Sequence, residues 1–94
     1  MENKVLVPGR VVESTAGRDA GKLFLVVGVI SATLIQVADG RGRKIDQAKK
    51  KNVKHVKPHA QVAQDIAGRL GGGLPVTDAD IRAALETLTG TELN

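Results

Sequence analysis

The sequence of 94 residues contains no cysteine, tryptophan or tyrosine, and its only aromatic residue is Phe24. The absence of cysteine excludes disulfides, thiolate metal sites and a cysteine nucleophile, and it fits a reducing compartment. With so few aromatic side chains the core must be aliphatic, and we expect Phe24 to be buried in it. No segment reaches the roughly 18 apolar residues of a membrane span, and the N-terminus lacks the apolar core of a signal peptide, so we expect a cytoplasmic protein.

Positive charge is concentrated in one part of the chain. Residues 1–59 hold twelve Lys and Arg against five acidic residues, a net charge of +7, whereas residues 60–94 hold two against five, a net charge of −3. Residues 41–57 alone carry eight basic residues against Asp46. Such a run is either a solvated loop that aids solubility or a surface that neutralises nucleic-acid phosphates.

Residues 15–22 form a charged, glycine-containing segment between two apolar stretches. Gly17 and Gly21 can adopt the positive φ of a tight reversal without steric cost, so we predict a strand, a loop and a second strand. The loop should expose three charged side chains at its tip: Arg18, Asp19 and Lys22. A phosphate-binding P-loop is excluded, because only three residues separate Gly17 from Gly21 and because Leu23 stands where that motif needs Ser or Thr.

The apolar and β-branched stretches predict five short strands, at residues 10–14, 22–30, 33–38, 43–45 and 53–56. Asp39-Gly40 is a hairpin signal, residues 47–52 are interpreted as a basic connector, and Pro58 should stop the last strand. Five short strands joined by tight turns favour a small, strongly bent antiparallel barrel, because closure removes exposed sheet edges.

The remainder of the chain has helical periodicity. Residues 60–70 predict an amphipathic helix, which the glycines at 71–73 end as a flexible link. A second helix should begin after Thr77, whose spacing from Asp80 fits a capping motif, and should end at Gly90. We therefore expect a mainly β fold with C-terminal α structure: a barrel at residues 1–58 and a helical extension at residues 59–94.

Four stretches in this order resemble a KOW domain: Gly-Arg-Val-Val at 9–12, Ala-Gly-Arg-Asp-Ala-Gly-Lys at 16–22, Val-Ala-Asp-Gly at 37–40 and the lysine-rich run at 49–55. The resemblance is to the archaeal and eukaryotic-type large-subunit ribosomal protein family fourteen-e and its short bacterial relatives. It covers about three-fifths of the chain and implies an SH3-like barrel that binds RNA, usually on the ribosome. Residues 60–94 match nothing in that family.

These observations predict a non-catalytic, ribosome- or translation-associated protein that grips the phosphates and 2′-hydroxyls of structured RNA. Gly17, Gly21 and Asp19 are expected to shape the loop, and reversal of the three consecutive lysines at 49–51 to glutamate should leave the fold intact. The predicted RNA-binding residues are Arg18, Lys22, Arg41, Arg43, Lys44, Lys49, Lys50, Lys51 and Lys54. The alternative is a protein-interaction module that docks onto a translation or transcription factor through the barrel and the last helix, by way of Ile81, Leu85 and Leu88.

The residues that carry enzymatic or metal chemistry are sparse. His55 and His59 are four apart, but Pro58 argues against the helix that would place them on one face, and no third ligand is evident. Neither histidine lies near a serine and acid arrangement suited to nucleophilic catalysis. We therefore expect no enzymatic activity, cofactor, metal, membrane association or small-molecule substrate.

Overall fold

A computed structural model describes residues 6–90 as an antiparallel sheet followed by two helices. The strands are β1 (Arg10–Ser14), β2 (Leu23–Ser31), β3 (Leu34–Ala38), β4 (Lys49–Asn52) and β5 (Val56–Val62). The helices are α1 (Gln64–Gly71) and α2 (Asp78–Thr89), and short 3-10 turns lie at Ile45–Gln47 and Val53–His55. The expected fold class, mainly β with C-terminal α structure, is confirmed.

The five strands are ordered β4-β3-β2-β1-β5, and each pairs antiparallel with its neighbours. In the register of the central strands, Val12 lies opposite Phe24 and Val26 opposite Val37. β4 and β5 are the two edges, and within residues 6–90 no strand pairing joins them. The sheet is therefore open as paired, and closure into a barrel is not part of the observed fold.

The first three strands are close to their predicted positions, but the last two are not. Residues 43–45, expected to be a strand, lead instead into the 3-10 turn, and the expected connector contains β4. Residues 53–55 form a 3-10 turn, and β5 continues through Pro58 to Val62. Pro58 is tolerated because β5 is an edge strand that pairs with β1 alone, so no second strand requires the N–H that proline lacks.

Two clusters of buried side chains lie on opposite faces of the sheet. One combines Val12, Phe24 and Val26 with side chains of β3 and β5, and Phe24 is buried there as expected. The other combines Val11 and Leu25 with residues of both helices. The helical extension therefore shares a core with the sheet, and the predicted boundary at residue 58 falls inside β5.

The two ends of α2 follow local capping chemistry. α2 begins with the predicted capping box, in which the Thr77 hydroxyl accepts the Asp80 N–H at 3.1 Å and the Asp80 carboxylate accepts the Thr77 N–H at 2.9 Å. It ends at Gly90, which has a left-handed φ of 68°. α1 begins at Gln64 rather than at residue 60, because Ala60 belongs to β5. Arg69 of α1 joins the two helices through an ion pair to Asp80 of α2, and it also pairs with Asp65 of its own helix.

Candidate nucleic-acid interface

The glycine loop between β1 and β2 has the predicted backbone. Gly17 and Gly21 have φ of 82° and 88°, the left-handed region that favours glycine. The Gly21 N–H donates to the Ser14 carbonyl at 2.8 Å, and the Lys22 N–H donates to the Asp19 carbonyl at 2.9 Å. These bonds close the loop into a compact turn with Arg18 and Lys22 exposed on it.

Asp19 does not lie at the exposed tip, as the sequence had led us to expect. Only 8% of the residue is exposed, and its carboxylate accepts hydrogen bonds from the Ser14 hydroxyl at 2.6 Å, Lys51 Nζ at 2.9 Å and Lys49 Nζ at 2.8 Å. Burial raises the pKa of Asp19, but the hydrogen bonds from Lys49, Ser14 and Lys51 outweigh it and hold the pKa well below its ordinary value. Asp19 thus shapes the loop by fixing it to β4.

The same contacts give Lys51 a structural role. Its side chain is 7% exposed, and its ammonium also donates to the Ala16 carbonyl at 3.0 Å. Lys51 cannot reach a phosphate without leaving this buried site, so we remove it from the candidate interface. These contacts argue against the expectation that reversal of the three lysines at 49–51 leaves the fold intact, because two of the new carboxylates would face Asp19.

The second loop of the site follows β3. The Asp39 carboxylate accepts the backbone N–H groups of Arg41 and Arg43, both at 2.9 Å, which holds residues 39–43 in a tight turn. Gly40 has a φ of 76°, and a Cβ at this position would collide with the carbonyl oxygen of Asp78 in α2. The turn can therefore approach the helix only because residue 40 is glycine.

Helix α2 supports this second loop at three points. Arg82 Nη1 donates to the Gly40 carbonyl at 2.7 Å, and the Ile45 N–H donates to Asp78 Oδ1 at 2.8 Å. Arg41 forms an ion pair with Glu86 at 3.5 Å, with both side chains about half exposed. No part in this loop was predicted from the sequence for Asp78, Arg82 or Glu86. Contacts across 33 and 42 residues leave no local signal.

The two loops meet at a cavity of about 280 Å³, which we call the cation-lined cavity. Four basic residues from three separate parts of the chain line it: Arg18, Lys22, Arg43 and Lys49. Its two acidic residues, Asp19 and Asp39, are already engaged by lysines and by backbone N–H groups respectively. The arrangement therefore presents a net excess of positive charge to solvent, which suits a phosphate group.

The other predicted RNA-binding residues lie elsewhere. Arg41 lines a neighbouring cavity with Lys22. Lys44, Lys50 and Lys54 are exposed but are not among the residues that line the cation-lined cavity. The basic segment is thus divided among the two cavities, an exposed surface and a buried structural lysine.

The apolar stripe of α2 packs into the core of the molecule. Ile81 is fully buried and Leu85 nearly so, both in the cluster that contains Val11 and Leu25, and Leu88 packs half-buried against the same cluster. This side of the helix covers the sheet.

The two histidines have different surroundings. His59 Nε2 lies 3.2 Å from Glu13 Oε1, and His55 is exposed in the 3-10 turn. Within residues 6–90 no three His, Cys, Asp or Glu side chains gather in a way that could hold a metal ion. In the same part of the chain no helix is long and apolar enough to cross a membrane.

The chain matches no protein-family model, and no curated protein is significantly similar to it.

Proposed function

We propose that this is a non-catalytic RNA-binding protein of the translation apparatus in the cytoplasm, which binds structured RNA through its phosphates. The observation that carries the proposal is the cation-lined cavity, where Arg18, Lys22, Arg43 and Lys49 converge from three segments of the chain. Basic side chains that replace condensed counterions supply affinity with little sequence preference, as a binder of a folded RNA scaffold requires.

The resemblance to KOW domains supports the same proposal. It places Arg18 and Lys22 in the loop by which such domains would contact RNA, and both side chains are exposed here. The SH3-like barrel that the resemblance implies belongs to the proposal as well. β4 and β5, the edges that closure would join, are separated in sequence only by the turn Val53–His55.

The test is equilibrium binding to purified structured ribosomal RNA at several salt concentrations, with two charge-matched double variants. One combines Arg18→Glu with Lys22→Glu, at two residues that line the cation-lined cavity. The other combines Lys54→Glu with Lys57→Glu, at two exposed residues that do not line it. Both variants remove the same net charge. Melting curves establish that both are folded.

We expect the wild type to show a steep decrease of affinity with salt. The variant with Arg18→Glu and Lys22→Glu should lose most of its affinity. Its log–log salt slope should decrease by about 2, because each lost phosphate contact lowers that slope by about 1. The outer variant should lose much less. Equal losses in the two variants would mean that the basic surface acts as a whole, and a flat salt dependence would refute phosphate binding and favour a protein partner.

A further inference from the structure

A second cavity adjoins the cation-lined one and has a different chemical character. Its volume is about 530 Å³, within the range of roughly 300–1,000 Å³ that is typical of small-molecule sites. Leu23 and Leu85 give it an aliphatic wall, and Arg41 lies beside them. We call it the leucine-walled cavity.

The two cavities share part of their lining. Lys22, Asp39 and Gly42 line both, so the two cavities are neighbours, and we call the pair of them the cleft. A ligand that fills both needs an anionic group at one end and a compact, weakly polar group at the other. In an RNA, the unit with these two ends is a single nucleotide, with its phosphate and its base.

We propose that the cleft binds one unpaired nucleotide of a structured RNA, with the phosphate in the cation-lined cavity and the base in the leucine-walled cavity. The inference deepens the proposed function and rests on it. A base within a paired stem presents its phosphate but keeps its faces stacked, whereas a bulged or looped-out base can enter a cavity.

The chemistry of the leucine-walled cavity fits a base without any aromatic side chain. Leu23 and Leu85 supply apolar surface, and the planar guanidinium of Arg41 is a group on which bases stack. Arg41 lies beside the cavity and forms an ion pair with Glu86 at 3.5 Å. Asp39 accepts two backbone N–H groups, so its carboxylate maintains the loop.

The experiment compares two RNA hairpins with the same stem, one fully paired and one with a single-nucleotide bulge, plus the bulged hairpin carrying an abasic nucleotide. The wild-type protein should bind the bulged hairpin about tenfold more tightly than the paired one, which is the scale of a stacked base. The abasic bulge should lose this preference. Equal binding of the normal and abasic bulges would overturn the inference, since the protein would then recognise a flexible backbone.

A cavity-filling variant gives an independent test. Gly42 lines both cavities, has no positive φ, and a Cβ on it meets no atom within 4 Å, so Gly42→Leu adds a side chain at the cleft without backbone strain. Gly68→Leu is the matched control, since Gly68 is exposed on α1 with equally open space.

Gly42→Leu should reduce the tenfold preference to about one while the salt slope on the paired hairpin remains, because Arg18, Lys22 and Arg43 are intact. Gly68→Leu should keep the preference. A wild type that binds both hairpins equally, or a Gly42→Leu variant that retains the preference, would refute the nucleotide site alone. Failure to bind any of these RNAs would refute the proposed function itself.

Discussion

The buried ammonium of Lys51 provides a sharp test of how the glycine loop is held to β4. Substitution by methionine keeps most of the length and the apolar stem of the side chain but removes the charge. Two hydrogen bonds are lost, to the Asp19 carboxylate at 2.9 Å and to the Ala16 carbonyl at 3.0 Å. Hydrogen bonds to charged groups contribute about 1.5–3 kcal/mol each, and acceptors left unpaired in a buried site add a desolvation cost.

We expect Lys51→Met to lower the free energy of unfolding by about 3 kcal/mol, the low end of this sum, because Lys49 and Ser14 still bind Asp19. In a domain of this size each 1 kcal/mol shifts Tm by about 4–8 °C, so Tm should fall by about 12–24 °C. The loss is a large part of the total stability, which scales as about 0.05–0.15 kcal/mol per residue.

Lys50→Met is the matched control, because it removes the same charge from the neighbouring, exposed position of the same strand. Its effect on unfolding should lie within about 0.5 kcal/mol. Thermal and urea unfolding of both variants gives the comparison. Equal melting temperatures would refute the assignment of Lys51 to a buried structural pair and return it to the exposed basic surface.

Three further predictions concern other contacts. The pKa of Asp19 is lowered in the folded state, so the ionised carboxylate stabilises the fold above the ordinary value of 3.8. This contribution is lost as pH falls from 3.8 toward the folded-state pKa. Urea unfolding of Asp19→Asn should therefore depend less on acid pH than unfolding of the wild type. Gly40→Ala should lower Tm more than Gly21→Ala, because both have positive φ but only the Cβ at residue 40 meets Asp78; equal shifts would refute the close approach of α2. Thr77→Ala should cost about 1 kcal/mol in urea unfolding through loss of the cap, and no change would mean that the capping box adds nothing.

The features that sequence reasoning predicted correctly depend on neighbouring residues. Positive φ at Gly17 and Gly21, and the capping box at Thr77, require only residues a few positions away. The first three strands follow from apolar stretches rich in Val, Leu and Ile. Local chemistry is sufficient in each of these cases.

The errors arose where distant segments determine the structure. Three consecutive lysines carry no periodicity, so β4 had the appearance of a solvated connector. Contacts with Asp19 and Ala16, 32 and 35 residues earlier in the chain, distinguish the buried Lys51 from the exposed Lys50. The charge of Asp19 likewise suggested an exposed loop tip, because nothing nearby in the sequence indicates the lysines that compensate it.

The candidate site was predicted in part. The four basic residues of the cavity (Arg18, Lys22, Arg43 and Lys49) were all named as RNA-binding residues, but their convergence on one cavity depends on the path of the sheet between two loops. The support of the second loop by α2 was not predictable, because Arg82 bonds a backbone carbonyl 42 residues away. The acidic helical extension thus has a role that its charge alone does not indicate: it holds part of a basic cleft in place.

Site-specific cross-linking tests the central claim, that structured RNA is bound at this cleft, most directly. The chain has no cysteine, so a single cysteine carrying a photoreactive group can be introduced without competing thiols. Ala20 is exposed in the glycine loop between Arg18 and Lys22, and Gly68 is exposed on α1 and serves as the control position.

With structured ribosomal RNA, the probe at residue 20 should cross-link efficiently, and the yield should fall as salt is raised. The probe at residue 68 should give little product under the same conditions. Cross-linking at residue 68 that equals or exceeds that at residue 20 would contradict the account and move the RNA-binding surface away from the two loops.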